Sequence, residues 1–133
     1  MSVLALHDGA RDGFELDLTG FEPPGRRWLI VRMLVVGPQG RRVVVEPCLT
    51  AKDVHALARW LDRLAKGRRV RALGFLEPTL QLEIVASTAE SLAMRVRVEV
   101  HDEDVSEVVL RLTRSQLEGA GDRLRLRLDG LDV

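Results

Sequence analysis

The residues of this 133-residue chain best suited to chemistry are three histidines, one cysteine and two carboxylates that each precede a proline. His7, His55 and His101 stand far apart and show neither an H-x3-H nor an HExxH spacing. A zinc site built on them would need Cys48 or carboxylates delivered by the fold, because the ion needs a full tetrahedral ligand set. Ordinary surface or boundary histidines are the simpler expectation. Cys48 stands just ahead of a predicted helix, where the positive helix end can lower a thiol pKa and make a nucleophile. A free cysteine at a strand-to-helix corner fits a small buried hydrophobe better. Glu46-Pro47 and Glu77-Pro78 would supply a general acid–base pair if the fold joined them. The plainer expectation is that both carboxylates cap turns. No catalytic, metal or cofactor constellation emerges, and no enzyme is expected.

Two further groups concern partners. Glu99, Asp102, Glu103, Asp104 and Glu107 form the densest acidic cluster. It is too short for a calcium loop, whose ligands are spaced over about 12 residues. As a partner-binding site it would face a basic protein and steer its approach. The competing expectation is a solvated hairpin tip, partly neutralised by Arg95, Arg97 and Arg111. Arg26-Arg27, Arg41-Arg42 and Arg68-Arg69 invite a nucleic-acid reading. However, the first two pairs fall at opposite ends of one predicted hairpin. With 2 Trp, 3 Phe and no Tyr, interleaved aromatics for base stacking are absent. Gly119-Ala120-Gly121 lacks the third glycine of a dinucleotide loop. A nucleic-acid partner is not expected.

Composition agrees. The chain is 46% apolar and 30% charged with a formal net charge of 0, the profile of a soluble globular protein rather than of a disordered or strongly basic one. Its basic residues are 18 Arg and 2 Lys, and they are spread evenly: residues 1–66 carry a charge of +2 and residues 67–133 a charge of −2. One cysteine allows no internal disulfide, so a cytoplasmic home is the default. The N-terminal residues do not resemble a signal peptide. The longest apolar run, Trp28 to Val36, is too short for a bilayer, so no membrane association is expected. No linker or repeat divides the chain, which implies a single domain over residues 1–133.

The elements that must position these residues follow from periodicity. Val3 to Leu6 is a short strand. Phe14, Leu16 and Leu18 alternate with polar residues as a half-buried strand. Trp28 to Val36 is apolar on both faces, which predicts a central strand covered on both sides. Gly37-Pro38-Gln39-Gly40 turns the chain, and Arg41 to Glu46 returns. Val54, Leu57, Ala58, Leu61, Leu64 and Ala65 form one stripe of a helix over about 51–66. Thr50 and Asp53 approximate a capping box, and Gly67 ends the helix. Val70 to Leu76 and Leu80 to Ala86 flank a hairpin loop. Leu92 to Val100 is the clearest period-2 segment and should pair with Val105 to Leu112. Pairing Val96 with Val108, Met94 with Leu110 and Leu92 with Leu112 matches apolar with apolar, and it sets Arg97 opposite Glu107. The C-terminus stays open. Leu117, Leu124, Leu128 and Leu131 suit a helix face, whereas Leu124, Leu126 and Leu128 alternating with arginines suit a strand. Gly119 and Gly121 each cost a helix up to ~1 kcal/mol relative to alanine.

Several segments in order resemble the WapI-type immunity protein family of bacterial polymorphic-toxin systems. They are Trp28-Leu29-Ile30-Val31, Glu46-Pro47-Cys48-Leu49-Thr50, Trp60-Leu61-Asp62-Arg63-Leu64-Ala65-Lys66-Gly67, Phe75-Leu76-Glu77-Pro78-Thr79-Leu80 and the strand Leu92 to Val100. The chain departs from the family pattern at Thr79, where an asparagine is usual. It departs again at His101-Asp102-Glu103, where the loop is usually longer. The resemblance implies an α+β fold: about 7–8 mainly antiparallel strands packed on one central helix, with a short C-terminal helix from about Ser115. It also implies a non-enzymatic protein that binds and neutralises the toxic C-terminal domain of a cognate toxin in the cytoplasm. The alternative is a structural or regulatory interaction module, homo-oligomeric through an exposed sheet edge. Neither the toxin's chemistry nor an oligomeric state can be read from the residues.

Overall fold

The computed structural model describes residues 2–25, 27–74, 79–100 and 104–131. The first half contains β1 (Leu4–Asp8), β2 (Asp12–Phe21), β3 (Leu29–Gly37), β4 (Gly40–Leu49) and α1 (Ala51–Ala65). The second contains β5 (Leu73–Gly74), β6 (Leu80–Ser87), β7 (Ser91–Val100), β8 (Asp104–Thr113), a 3-10 turn (Arg114–Leu117) and α2 (Ala120–Leu131). The fold is α+β, as expected. Its antiparallel strands form two four-stranded sheets, ordered β1-β2-β3-β4 and β5-β6-β7-β8, with α1 between them in the chain. Each sheet is a meander, the order that short hairpin connections produce.

In the first sheet, alternation sends one set of side chains inward. Leu4 and Leu6, Phe14, Leu16 and Leu18, then Leu29, Val31, Met33 and Val35 are all buried. The register stacks them in rows, with Leu16 facing Leu4 on one side and Met33 on the other. β3 lies between β2 and β4 as anticipated, but only its inward face is fully covered. On the opposite face Ile30, Arg32 and Val36 are half-buried, and Leu34 alone is buried. Leu34 sits in register between Glu15 and Val43, so neighbouring strands shelter it rather than another layer.

α1 forms for the reasons its sequence states. The Asp53 N–H donates to Thr50 Oγ1 at 3.2 Å, and the Thr50 N–H donates to Asp53 Oδ2 at 2.9 Å, a complete capping box. Val54, Leu57, Ala58, Trp60, Leu61 and Leu64 are buried along one stripe. Each fully buried leucine contributes about 1.5–3 kcal/mol. Gly67 ends the helix at φ 77°, and its N–H reaches the Leu64 carbonyl at 3.0 Å.

The second sheet keeps the anticipated register: Val96 faces Val108, Met94 faces Leu110, Leu92 faces Leu112 and Arg97 faces Glu107. Of the strand expected over Val70–Leu76, the described residues show Leu73–Gly74 paired and Val70–Ala72 not, while Phe75 and Leu76 lie outside the described residues. A physical reason is visible at Arg71. Its carbonyl accepts the Trp60 indole N–H at 2.7 Å, so it is committed to α1 rather than to a ladder.

The C-terminal choice falls to the helix. It begins at Ala120, because Ser115 belongs to the preceding 3-10 turn. Leu117, Leu124 and Leu128 are buried, whereas Leu126 is 72% exposed. A strand would have placed Leu124, Leu126 and Leu128 on one face. α2 packs on α1 and is tied there by Arg125, whose Nη2 donates to Asp62 Oδ2 at 2.7 Å. That hydrogen bond raises the pKa of the Arg125 guanidinium above its ordinary value. Arg127 reaches the other way: its Nε donates to the Leu18 carbonyl at 3.0 Å, beside the bulge between Leu18 and Gly20 in β2.

β8 joins the two sheets by crossing the hairpin ends of the first. Arg42 on β4 holds Asp104 through both carboxylate oxygens. Gly37 lies so close to β8 that a Cβ there would stand 3.2 Å from Val108 Cγ2. The Arg111 N–H donates to Asp8 Oδ2 at 3.0 Å. One apolar core takes side chains from both sheets and both helices. Among the described residues it contains no buried polar or charged residue.

Candidate functional site

The period of two that buries Met94, Val96 and Val98 turns Arg95, Arg97 and Glu99 to the opposite face of the second sheet. Cross-strand register then brings Glu83 beside Arg95 and sets Gln81 and Glu107 on either side of Arg97. The ion pairs run partly diagonally. Arg95 lies 3.2 Å from Glu83 and 3.3 Å from Glu107, while Arg97 lies 3.8 Å from Glu99. A cleft of about 250 Å³ opens here, lined in part by Gln81, Glu83, Arg95, Arg97 and Glu107. Val85, Val105 and Val109 are exposed nearby on the same sheet.

Of the acidic cluster singled out above, Glu99, Asp104 and Glu107 therefore have arginine partners: Arg97, Arg42 and Arg95. Asp102 and Glu103 lie outside the described residues, as does His101. The carboxylates that are seen offer alternating charge along an edge.

The other chemistry-bearing residues do not converge. His7 lies 3.7 Å from Glu15, and His55 is exposed on α1. Glu46 is half-buried on β4, and Glu77 lies outside the described residues. Cys48 is buried, and desolvation, reinforced by Glu46 and Asp53, pushes its thiol from 9.0 up to about 12. It stays protonated at neutral pH, so burial outweighs its position ahead of a helix. Among the described residues no three His, Cys, Asp or Glu side chains come together to hold a metal.

The arginine pairs separate as anticipated in one respect only. Arg27 lies over the Trp28 ring at 5.5 Å from the centroid, Arg42 is bound to Asp104, and Arg26 lies outside the described residues. Arg69, however, joins Arg71 from its own segment and Arg59 and Arg63 from α1. These four line a groove of about 570 Å³, together with Ala56, Trp60 and the apolar residues of the following segment. Considering the arginine pairs one at a time missed it. The available signal was Arg59 and Arg63 at i and i+4 beside the buried stripe, which puts them one above the other on α1.

The model of the immunity protein WapI-like family matches residues 5–129, nearly the whole chain. The chain belongs to the WapI-like immunity protein family. Neither a curated protein nor a solved structure matches it. The family match spans both sheets and nearly all of both helices, so the face on β6–β8 and the groove beside α1 both lie within the matched residues. Among the described residues no helix is long and apolar enough to cross a membrane.

Proposed function

We propose that this WapI-like immunity protein acts by binding: it seats the toxic domain of a cognate toxin in the cytoplasm and blocks it, performing no chemistry of its own. The observation that carries the reading is the family match over residues 5–129. The physical character of the chain is in keeping with it. An apolar core that, among the described residues, holds no buried charge supports rigid exposed faces, and rigid faces lose little entropy on association.

We keep the acidic edge as a proposed contact, in a specific form. A basic group of the partner would displace Arg42, Arg95 or Arg97 from Asp104, Glu107 or Glu99. The edge thus offers exchangeable ion pairs, which favour encounter rate and register over raw affinity.

The test is co-expression with the toxin domain encoded immediately upstream. The expected result is survival of the cells and a 1:1 complex on size exclusion. Cell death together with no complex would overturn the reading. A second reading, self-association, draws on β4, the last strand of the first sheet, where Val43 and Val45 are 44% and 54% exposed. Sedimentation showing a concentration-independent oligomer and no toxin complex would favour it.

A further inference from the structure

We infer that the groove between α1 and the segment running into β5 is an anion site that receives an acidic segment of the protein partner, an inference that rests on the binding reading above for the partner's identity. Arg59 and Arg63 project from α1, and Arg69 and Arg71 face them from the other wall. All four are exposed, and among the described residues none of them makes an ion pair. Among the described residues no carboxylate lines the groove. Arg42, Arg95, Arg97, Arg125 and Arg127 have acidic neighbours within ion-pairing distance. Other arginines, Arg11, Arg41 and Arg68 among them, have none among the described residues, but only Arg59, Arg63, Arg69 and Arg71 are gathered along one groove.

Helix polarity accounts for part of the cluster, since cations near the last turn of α1 oppose its negative end. It accounts for Arg63 and Arg69. Arg59 stands farther back, and Arg71 sits beyond the chain reversal, so the helix end does not explain why they converge. Guanidinium groups present paired N–H donors that match a carboxylate in two bonds. Four of them around one groove suit a segment bearing two or more acidic side chains. Ala56, Val70, Ala72 and Leu73 supply apolar lining for the residues between.

The same lining disfavours nucleic acid. Trp60 is the one aromatic among the described lining residues; it is only 6% exposed, and its indole N–H is spent on the Arg71 carbonyl. It offers no ring face for a base, and stacking is what single-strand binders add to phosphate contacts. A net charge of 0 supplies no long-range attraction for a polyanion either.

The test uses the intact chain and a fluorescent peptide of paired glutamates separated by alanines, followed by anisotropy at low and high salt. A peptide with every glutamate replaced by glutamine and a single-stranded oligonucleotide serve as comparisons. The acidic peptide should bind, with affinity falling as salt rises, while the glutamine peptide should not. Arg59→Gln with Arg63→Gln, and separately Arg69→Gln with Arg71→Gln, should each weaken it about tenfold or more. Arg11→Gln with Arg41→Gln removes the same charge away from the groove and should leave affinity close to that of the unaltered chain. Equal binding by all three double variants overturns the proposal, as does tighter binding of the oligonucleotide. Thermal unfolding of each variant verifies that these exposed substitutions leave the fold intact. The toxin domain is titrated separately. If the peptide binds but the toxin domain does not, the anion site stands and the immunity reading falls. If the toxin domain binds equally well after all four arginines are replaced, the assigned occupant is wrong and the immunity reading stands.

Discussion

Gly121 of α2 rests directly on the backbone of Ala58 in α1: a Cβ at position 121 would stand 2.7 Å from the Ala58 carbonyl oxygen and would also collide with the Asp62 carboxylate. Real Cβ atoms do not approach backbone oxygen so closely, so the helices would have to part. Gly121→Ala should therefore lower stability by about 1–3 kcal/mol, the usual cost of overpacking, despite a helix-propensity gain of up to ~1 kcal/mol. Gly130 in the same helix has nothing within 4 Å of its Cβ position, so Gly130→Ala keeps only the gain. Urea unfolding of the two variants should shift in opposite directions. A stabilised Gly121→Ala protein would show that the close approach does not constrain the helix pair.

Gly121 also shows how far the residues alone carry the fold. Periodicity located most of the strands, the capping box at Thr50 and the register of β7 with β8, because burial on one face penalises every alternative pairing. It gave no decision at the C-terminus, where glycine at positions 119 and 121 counted against a helix. Both glycines have tertiary explanations: Gly119 takes φ 76° ahead of α2, and Gly121 admits α1. The division of the strands into two sheets was hidden for a similar reason. It depends on β8 crossing the ends of distant hairpins through Arg42–Asp104 and Asp8–Arg111. The four-arginine groove likewise depends on Arg71 lying against α1, which the Trp60 indole fixes. Local pattern reports burial and pairing; it does not report which charged side chains meet.

Arg114 gives a second prediction. Its guanidinium donates to the Leu64 carbonyl at the end of α1 at 2.7 Å and to the Thr88 and Ala89 carbonyls of the β6–β7 turn at 2.7 and 3.1 Å. One planar group thus joins the helix to the second sheet and opposes the negative helix end. Arg114→Ala should cost about 1–3 kcal/mol, because hydrogen bonds to a charged group are the stronger kind and the Leu64 carbonyl loses a donor. Arg114→Lys should recover little of this, since an ammonium cannot span carbonyls on two elements in a fixed fork. Full recovery by lysine would reduce the role of Arg114 to simple charge.

Cys48 supplies a pH signature. Burial raises its folded thiol pKa from 9.0 to about 12, so above pH 9 the unfolded chain releases a proton that the folded chain retains. The unfolded state then binds fewer protons, and stability falls with rising pH. The contribution of Cys48 is fully present below pH 9.0 and is lost progressively towards about 12. Cys48→Ala should therefore show a shallower alkaline loss of stability than the unaltered protein, measured as the unfolding midpoint against pH. Alkylation of the native thiol near pH 8 should likewise be slow and limited by unfolding. Rapid alkylation of the folded protein would mean that the thiol is open to solvent.

The last prediction separates a structural from a recognition role at the acidic edge. Asp104 and Glu107 pair with Arg42 and Arg95, and the four side chains are between 39% and 44% exposed. Pairs so exposed are worth about 0.2–1 kcal/mol each, because water competes for both charges and salt screens them. Asp104→Asn with Glu107→Gln should thus lower stability only slightly while leaving Arg42 without its carboxylate and Arg95 with Glu83 alone. If a basic face of the toxin domain takes over those carboxylates, the same variant should associate more slowly, with a flatter dependence of the association rate on salt. Its dissociation rate should change little, since steering acts mainly before contact. Stopped-flow association at several ionic strengths reads both quantities. An unchanged association rate and salt dependence would leave these pairs as internal ties between β4, β7 and β8, and the contact would have to be sought on another face.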